Sequence, residues 1–402
     1  MADGAPLAKD NPEVSRAPAG GWGSWAPRWR KTSPAEAAEA ERGMLDLLKS
    51  KVLARDVPVG PGKQDYIRTL EVQPPAGAAE GAATAARQTP VVYLPGYGAG
   101  SCFLWRNIDA LSPHMRLFAC DWLGTGRSGR PRFSARGQEE AEGFFTDSLA
   151  EWRRAEGLDG GKMVLVGHSL GGYLAAAYAL KHPEHVQHLV LVCPAGIPEK
   201  PAGWESRFTT AAPAFRRLLF RAAAGAWEAG LTPGAVIRAL GPWGPGLVDK
   251  YVGGRFSYHG HPLTEQEIPV FSSYFYHIAA APGSGEFALR HLLEPGAWAR
   301  SPLHKRLLEL QGVPVTFIYG AHDWMDPNNA VALSKELDRV RPRAVPSDHA
   351  VEIIPDAGHY VFIEQPDEFN KTLLRVLAPW LGGGGGSAGG GGGGGGAVNA
   401  GA

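Results

Sequence analysis

The chain has 402 residues, with forty basic and forty acidic side chains, so its formal net charge is zero and gives no electrostatic case for a nucleic-acid partner. Its 44% hydrophobic and 20% charged residues are those of a globular protein rather than a disordered one. Three cysteines, Cys102, Cys120 and Cys193, make no disulfide framework and fit a reducing, cytoplasmic setting, and no run of eighteen apolar residues is present to span a membrane.

At the start, the first ten residues carry acids and lack the apolar core of a secretory signal. Gly21 to Lys31 then gathers Trp22, Trp25 and Trp29 among arginine and lysine, followed by the amphipathic-looking stretch Pro34 to Val52. Tryptophan beside basic residues suits the boundary between lipid headgroups and acyl chains, so these three are expected to anchor the chain peripherally on a lipid surface. The competing reading packs the same stretch back onto the domain. Strand and helix signals alternate from about residue 66 to 194 and again from 313 to 380, as one mostly parallel, doubly wound α/β sheet requires. The expected organisation is an anchor and helix over 1–60, the first part of the core over 61–194, an insert over 195–300, the second part of the core over 301–381 and a disordered Gly-rich tail over 382–402. Residues 74 to 89 are Ala/Gly-rich and read as a surface loop.

Val91–Leu94 reads as a buried strand, and the turn Pro95-Gly96-Tyr97-Gly98-Ala99-Gly100 follows it. No Gly-Lys-Ser/Thr follows, so the turn is not a Walker loop. Met163-Val164-Leu165-Val166 is a second buried strand, and Gly167-His168-Ser169-Leu170-Gly171 joins it to a helix-like stretch ending near His182. A serine on a sharp strand-to-helix turn, flanked by glycines because a Cβ there would clash, is the setting of a covalent nucleophile. Such a turn supplies one oxyanion donor through the N–H after the serine, here Leu170. The early glycine-rich turn supplies the second, for which Tyr97 N–H is the choice. Cys193, in Leu189–Cys193, reads as a buried strand residue.

The insert from Ala195 to Arg300 is rich in aromatics, from Trp204 to Trp298, and reads as a lid that packs on itself and lines an acyl-chain tunnel. Its histidines lack the spacing of a metal site. Beyond it, Val315–Tyr319 is a strand signal followed by Asp323, with Asp326 three residues on as the alternative acid. Val351–Ile354 is another, followed by His359. Serine, acid and histidine therefore come in that order, each at the carboxyl end of a strand, where open α/β sheets gather their ligands. The histidine removes the serine proton, and the carboxylate fixes the imidazole tautomer. His168 and His322 read as neighbours of the site.

From about Gly21 to Trp380 the chain resembles the α/β-hydrolase-domain subfamily four/five: its lysophospholipase-type members, the lipid-droplet coactivator of a triglyceride lipase, and the plant and yeast lysophosphatidic acid acyltransferases. The matching stretches are the tryptophan-rich start, Leu94–Gly100, Asp121-Trp122-Leu123-Gly124-Thr125-Gly126-Arg127-Ser128, Gly167–Tyr178, Tyr319–Met325 and His359–Pro366. The resemblance implies an α/β-hydrolase fold with a helical lid, and a serine-dependent lipid acyl hydrolase or acyltransferase in phospholipid and triacylglycerol homeostasis. It implies a lipid substrate at a droplet or membrane surface, a lipase or droplet-coat protein as partner, and no cofactor beyond acyl-CoA as an acyl donor. The alternative it carries is a non-catalytic droplet regulator that activates a separate lipase. In the coactivator the nucleophile position is not serine, whereas Ser169 stands here. In the acyltransferases a histidine followed five positions on by aspartate is held responsible for transfer. The corresponding pair here is His359 and Glu364, whose longer side chain places the charge differently and can equally serve as a helix-start charge.

Overall fold

The computed structural model describes residues 32–73, 89–205, 214–256 and 260–381. Eight strands form one sheet: β1 (Lys51–Pro58), β2 (Tyr66–Gln73), β3 (Val91–Leu94), β4 (Leu117–Cys120), β5 (Met163–His168), β6 (Val186–Val192), β7 (Val315–Gly320) and β8 (Val351–Ile354). Their order is β1-β2-β4-β3-β5-β6-β7-β8, with β2 antiparallel to its two neighbours and every other pairing parallel. The strands from β3 to β7 are short and mostly apolar because helices cover both faces of the sheet. The order reverses at β3 and β5, the switch point at which such sheets open a crevice.

Strand β1 was not among the expected strands: the alternation from residue 66 onward missed it, and the boundary at 60/61 falls in the turn between β1 and β2. Arg55 and Asp56 interrupt its apolar pattern. Arg55 pairs with Glu71 and Glu156, and Asp56 with Arg68, which keeps the charges on the sheet rim. Ahead of it, α1 (Pro34–Leu45) starts with Ser33 Oγ accepting the Glu36 N–H and a proline in the first turn.

Three core helices matter for the site: α2 (Trp105–Leu111) follows β3, α3 (Gln138–Ala155) buries Ala141, Phe145, Leu149 and Trp152 along one stripe, and α4 (Leu170–Lys181) follows β5. α4 is apolar all round and buried almost throughout. Trp152 also donates its indole N–H to Thr69 Oγ1 on β2 at 2.8 Å, so α3 is pinned to the sheet by a polar bond as well as by packing.

The insert is helical: α5 (Ala214–Glu228), α6 (Pro233–Ala239), α7 (Gly244–Arg255) and α8 (Glu267–Ala280), then a tight two-stranded hairpin pairing Leu293–Glu294 with Trp298–Ala299. α8 carries the lid's apolar face to the core, with Phe271 against Phe103 (centroids 4.8 Å) and stacked on Trp105 (4.9 Å). Glu267 clamps its first turn by accepting from Trp105 Nε1 (3.0 Å) and Arg106 Nε (2.8 Å). Burial alone would raise this carboxyl, yet the hydrogen bonds and charge of Arg106 hold it down at about 2. Arg130 clamps the other end of α8, donating to the carbonyls of Gly124 (3.1 Å) and Gly126 (2.8 Å) in the core and of Ile278 and Pro282 in the lid. The chain closes with α9 (Leu303–Glu309), α10 (Asn328–Val340) and α11 (Pro366–Leu381). No helix among the described residues is long and apolar enough to cross a membrane. The tail 382–402, the Ala/Gly-rich stretch from 74 to 88, and Trp22, Trp25 and Trp29 lie outside the described residues.

Candidate active site

The turn between β5 and α4 is too tight for side chains on its glycines. A Cβ on Gly167 would sit 2.7 Å from Gly172 Cα, and one on Gly171 would run into the carbonyls of Leu94 and Pro95. Without them α4 packs against the end of β3, and Ser169 is forced to φ 53°, ψ −120°, a conformation that non-glycine residues rarely hold without support from their surroundings. That backbone lifts Ser169 Oγ out of the sheet edge.

Three loops meet there. His359, on the loop after β8, places Nε2 3.0 Å from Ser169 Oγ and Nδ1 2.9 Å from Asp323 Oδ1. The Asp323 side chain is completely buried after β7, and its Oδ1 also accepts the Met325 N–H at 3.0 Å. A proton held on Nδ1 by that carboxylate leaves the Nε2 lone pair facing the serine hydroxyl. Asp326 is exposed instead and accepts the Asn328 N–H at 2.9 Å at the start of α10, away from the histidine. Trp324 stands between the two aspartates with its ring centroid 5.4 Å from that of His359, largely exposed at the cavity edge.

His168 is fully buried, and burial, reinforced by the charge of His359, pushes its pKa well below 6.5. The neutral ring donates Nε2–H to the carbonyl of His359 at 2.9 Å, so this neighbour of the serine fixes the backbone of the histidine. His322 is half exposed, and its N–H bonds the Ala357 carbonyl in the same loop. Cys193 is buried just past the end of β6 at φ 46°, beside Asp323.

Leu170 is the first residue of α4, so its N–H is among those a helix leaves without an internal acceptor. The turn carrying Tyr97 closes on the serine: a Cβ on Gly96 would stand 2.9 Å from Ser169 Cβ and 3.0 Å from His168 Nδ1. Tyr97 itself is largely buried, which raises its phenol, and its hydroxyl meets Thr232 and Gly234 at the start of α6. Asp121, just after β4, holds this neighbourhood by accepting the N–H of Ser101 (2.5 Å) and of Arg127 (2.6 Å). Complete burial pushes its carboxyl up to about 6.

Ser169, His359, Tyr97 and Trp324 line one cavity of about 820 Å³ between core and lid, whose other walls are largely apolar, among them Trp227, Ile237 and Leu247. Glu364 is absent from those walls. Its carboxylate is 1% exposed and turned toward the backbone on either side of His359. Sequence reasoning gave no role to Asp121 or to Arg255, which also lines the cavity. Asp121 opens the Asp-Trp-Leu-Gly-Thr-Gly stretch, a visible signal, whereas Arg255 lies in a lid sequence with no motif.

The family model for the α/β hydrolase fold matches residues 89–234 and 250–366, and the chain belongs to that family. Relatives within it are named as acyltransferases and lipases, and the chain is an enzyme of this superfamily, of the carboxylic ester hydrolase and acyltransferase kind. It is 39% identical over 381 residues to a probable 1-acylglycerol-3-phosphate O-acyltransferase of Oryza sativa subsp. japonica, covering 91% of this chain and 88% of that protein. It is 36% identical to the (lyso)-N-acylphosphatidylethanolamine lipase of Homo sapiens, covering 84% and 90%. It is 35% identical to the 1-acylglycerol-3-phosphate O-acyltransferase ABHD5 of Mus musculus, covering 90% and 96%. Among solved structures, carboxylesterase CesB of Bacillus subtilis superposes with a TM-score of 0.55 at 20% identity, covering 86% of this chain and 98% of that one, a likeness of fold.

Proposed function

We propose that the protein is a serine-dependent lipid acyl hydrolase and acyltransferase, with Ser169 as nucleophile, His359 as general base and acid, and Asp323 as the orienting carboxylate. The observation that carries this is the unbroken chain Asp323 Oδ1, His359 Nδ1, His359 Nε2, Ser169 Oγ, at 2.9 and 3.0 Å, at the floor of an apolar cavity. The Ser169 hydroxyl gives its proton to His359 Nε2 as Oγ bonds to the acyl carbonyl carbon, and the N–H groups of Leu170 and Tyr97 receive the oxyanion. Collapse breaks the bond to the leaving alkoxide, or to the thiolate of an acyl-CoA donor, which takes the proton from the imidazolium. Water or a lysophosphatidic acid hydroxyl then repeats the sequence on the acyl-enzyme, releasing a fatty acid or forming phosphatidic acid. The acyltransferase and lipase names of the relatives support both outcomes.

A lipid surface suits the lid. Leu231, Val236, Leu247 and Tyr251 line the cavity and are also exposed, and Phe215, Leu218, Leu219 and Trp243 are further exposed apolar side chains of the same lid. An acyl chain leaving a droplet or bilayer against this rim reaches the cavity without crossing water. The regulator reading gives the aligned serine and histidine no work.

The test offers purified wild type and Ser169→Ala labelled lysophosphatidic acid, acyl-CoA and phospholipid vesicles together, and identifies every lipid product. Products lost by up to about 10⁶ in the variant are expected. Equal product from both proteins would refute the serine mechanism, and no product from either would favour the regulator.

A further inference from the structure

From the contacts around Glu364 we infer that it is a positioning residue and that, with Arg255, it makes the placement of His359 conditional on the lid. This rests on the roles proposed above for Ser169 and His359. Glu364 Oε2 accepts the Gly358 N–H at 2.6 Å and Oε1 accepts the Tyr360 N–H at 3.1 Å, so the carboxylate grips the main chain on both sides of His359. Both oxygens are committed, the group is closed to solvent, and it does not face the cavity. It has no route to a substrate hydroxyl, while the His359 ring already has its carboxylate in Asp323.

A buried carboxylate needs a counter-charge as well as hydrogen bonds. Arg255 supplies it from the last turn of α7, with Nη2 2.8 Å from Glu364 Oε1 and the guanidinium lying over the rings of Tyr360 (5.4 Å) and Phe256 (5.7 Å). The main chain adds to the contact: the His261 N–H donates to the Glu364 carbonyl at 2.6 Å, and Gly260, at φ 61°, packs where any Cβ would collide with that same oxygen. Arg106 then ties the two segments of this contact together, donating to the carbonyls of His261 (2.7 Å) and Ile363 (2.9 Å). The loop that aims His359 is therefore held from above by the lid. When α7 lifts, Arg255 goes with it, an uncompensated anion is left beneath the histidine, and the loop is free to relax.

The test compares wild type, Glu364→Gln, Glu364→Asp, Arg255→Met and the double variant Arg255→Met/Glu364→Gln. Three quantities are read: the rate at which a fluorophosphonate probe labels Ser169, kcat and KM on a soluble short-chain ester, and the ratio of transfer to hydrolysis on vesicles carrying lysophosphatidic acid. Misplacement of a reacting group by an ångström costs about 10²-fold. The expected result is that labelling and kcat fall together by about that factor in Glu364→Gln and by about tenfold in Arg255→Met. KM stays within about twofold, the transfer ratio does not change, and the double variant is no worse than Glu364→Gln. Glu364→Asp, shorter by one carbon or about 1.5 Å, keeps only part of the grip and falls between. If Glu364→Gln fails to fold, Arg255→Met and Glu364→Asp carry the test. Loss of transfer with labelling and hydrolysis intact would overturn the inference by making Glu364 a residue of the acceptor step. Wild-type labelling rates in Glu364→Gln and Arg255→Met would also overturn it. A wild type that the probe does not label would remove the serine assignment and the latch with it.

Discussion

Asp323 and Asp326 are separated by two residues and by a large difference in surroundings. Asp323, its side chain sealed from water, faces the imidazole, while Asp326 caps the start of α10 in solvent. Asp323→Asn should keep the geometry but favour the wrong histidine tautomer, lowering kcat by about 10⁴. Asp326→Asn, which can still cap, should keep wild-type kcat and change stability by no more than about 0.5 kcal/mol. Steady-state kinetics on a soluble ester with both variants decides it, and equal losses would displace Asp323 from the role proposed for it. At this scale the sequence was informative where chemistry is local. Ser169, Leu170 and Tyr97 could be named because a strand, a glycine turn and a helix are contiguous there. The choice between the aspartates could only be ranked, because burial of a loop carboxylate depends on elements far away in the chain. Glu364 was ambiguous for the same reason: its ligands Gly358 and Tyr360 are near neighbours, but its counter-ion Arg255 comes from the lid.

The elements that shape the site are turns whose backbones approach one another without side chains between them. Gly96 is the clearest, since its α-carbon faces Ser169 and His168 at a distance no Cβ can share. Gly96→Ala should push the Tyr97 turn outward and weaken the oxyanion donor proposed there, lowering kcat by about 10² with little change in melting temperature. An unchanged kcat would remove the turn from the machinery. Strands β3, β5, β6 and β7 were legible as apolar runs because burial on both faces needs no alternation. Strand β1 was not, because an edge strand carrying Arg55 and Asp56 has the look of a polar linker until its partners on β2 and α3 are known. The lid was legible only as an aromatic-rich insert. Its helix α8 is seated by packing against Phe103 and Trp105, a tertiary fact that no local pattern carries.

For the whole molecule, His188 links pH to stability. It lies fully buried on β6, with Nδ1 accepting the Trp380 N–H at 2.8 Å and Nε2 bonded to Thr316 Oγ1 at 2.8 Å, so the ring is neutral, and burial lowers its pKa to about 4. The unfolded chain takes up this proton near the ordinary value of 6.5, before the folded chain does. The contribution is therefore complete above pH 6.5 and is lost as pH falls toward 4. Chemical denaturation should show stability dropping by about 2 kcal/mol between pH 7 and pH 5 through this group, and His188→Gln should flatten that slope. An unaltered slope would rule the group out.

The N-terminal helix α1 has one further consequence, for where the protein can be cut. Its Glu41 is buried between Arg68 of β2 and Arg127 of the Asp121 loop, its Gly43 packs on Val270 of α8, and Thr32 just before it bonds His277 of the same lid helix. β2 in turn shields the outer edge of β4. The stretch matched by the family model begins at residue 89 and leaves all of this out. A fragment starting there would carry a complete serine, acid and histidine yet expose the back of the lid and an unpaired strand edge, an invitation to aggregation. The stretch the family model matches is therefore shorter than the unit that folds, by two strands and a helix. A fragment beginning at Thr32 should express in the soluble fraction, and one beginning at residue 89 should partition into the pellet.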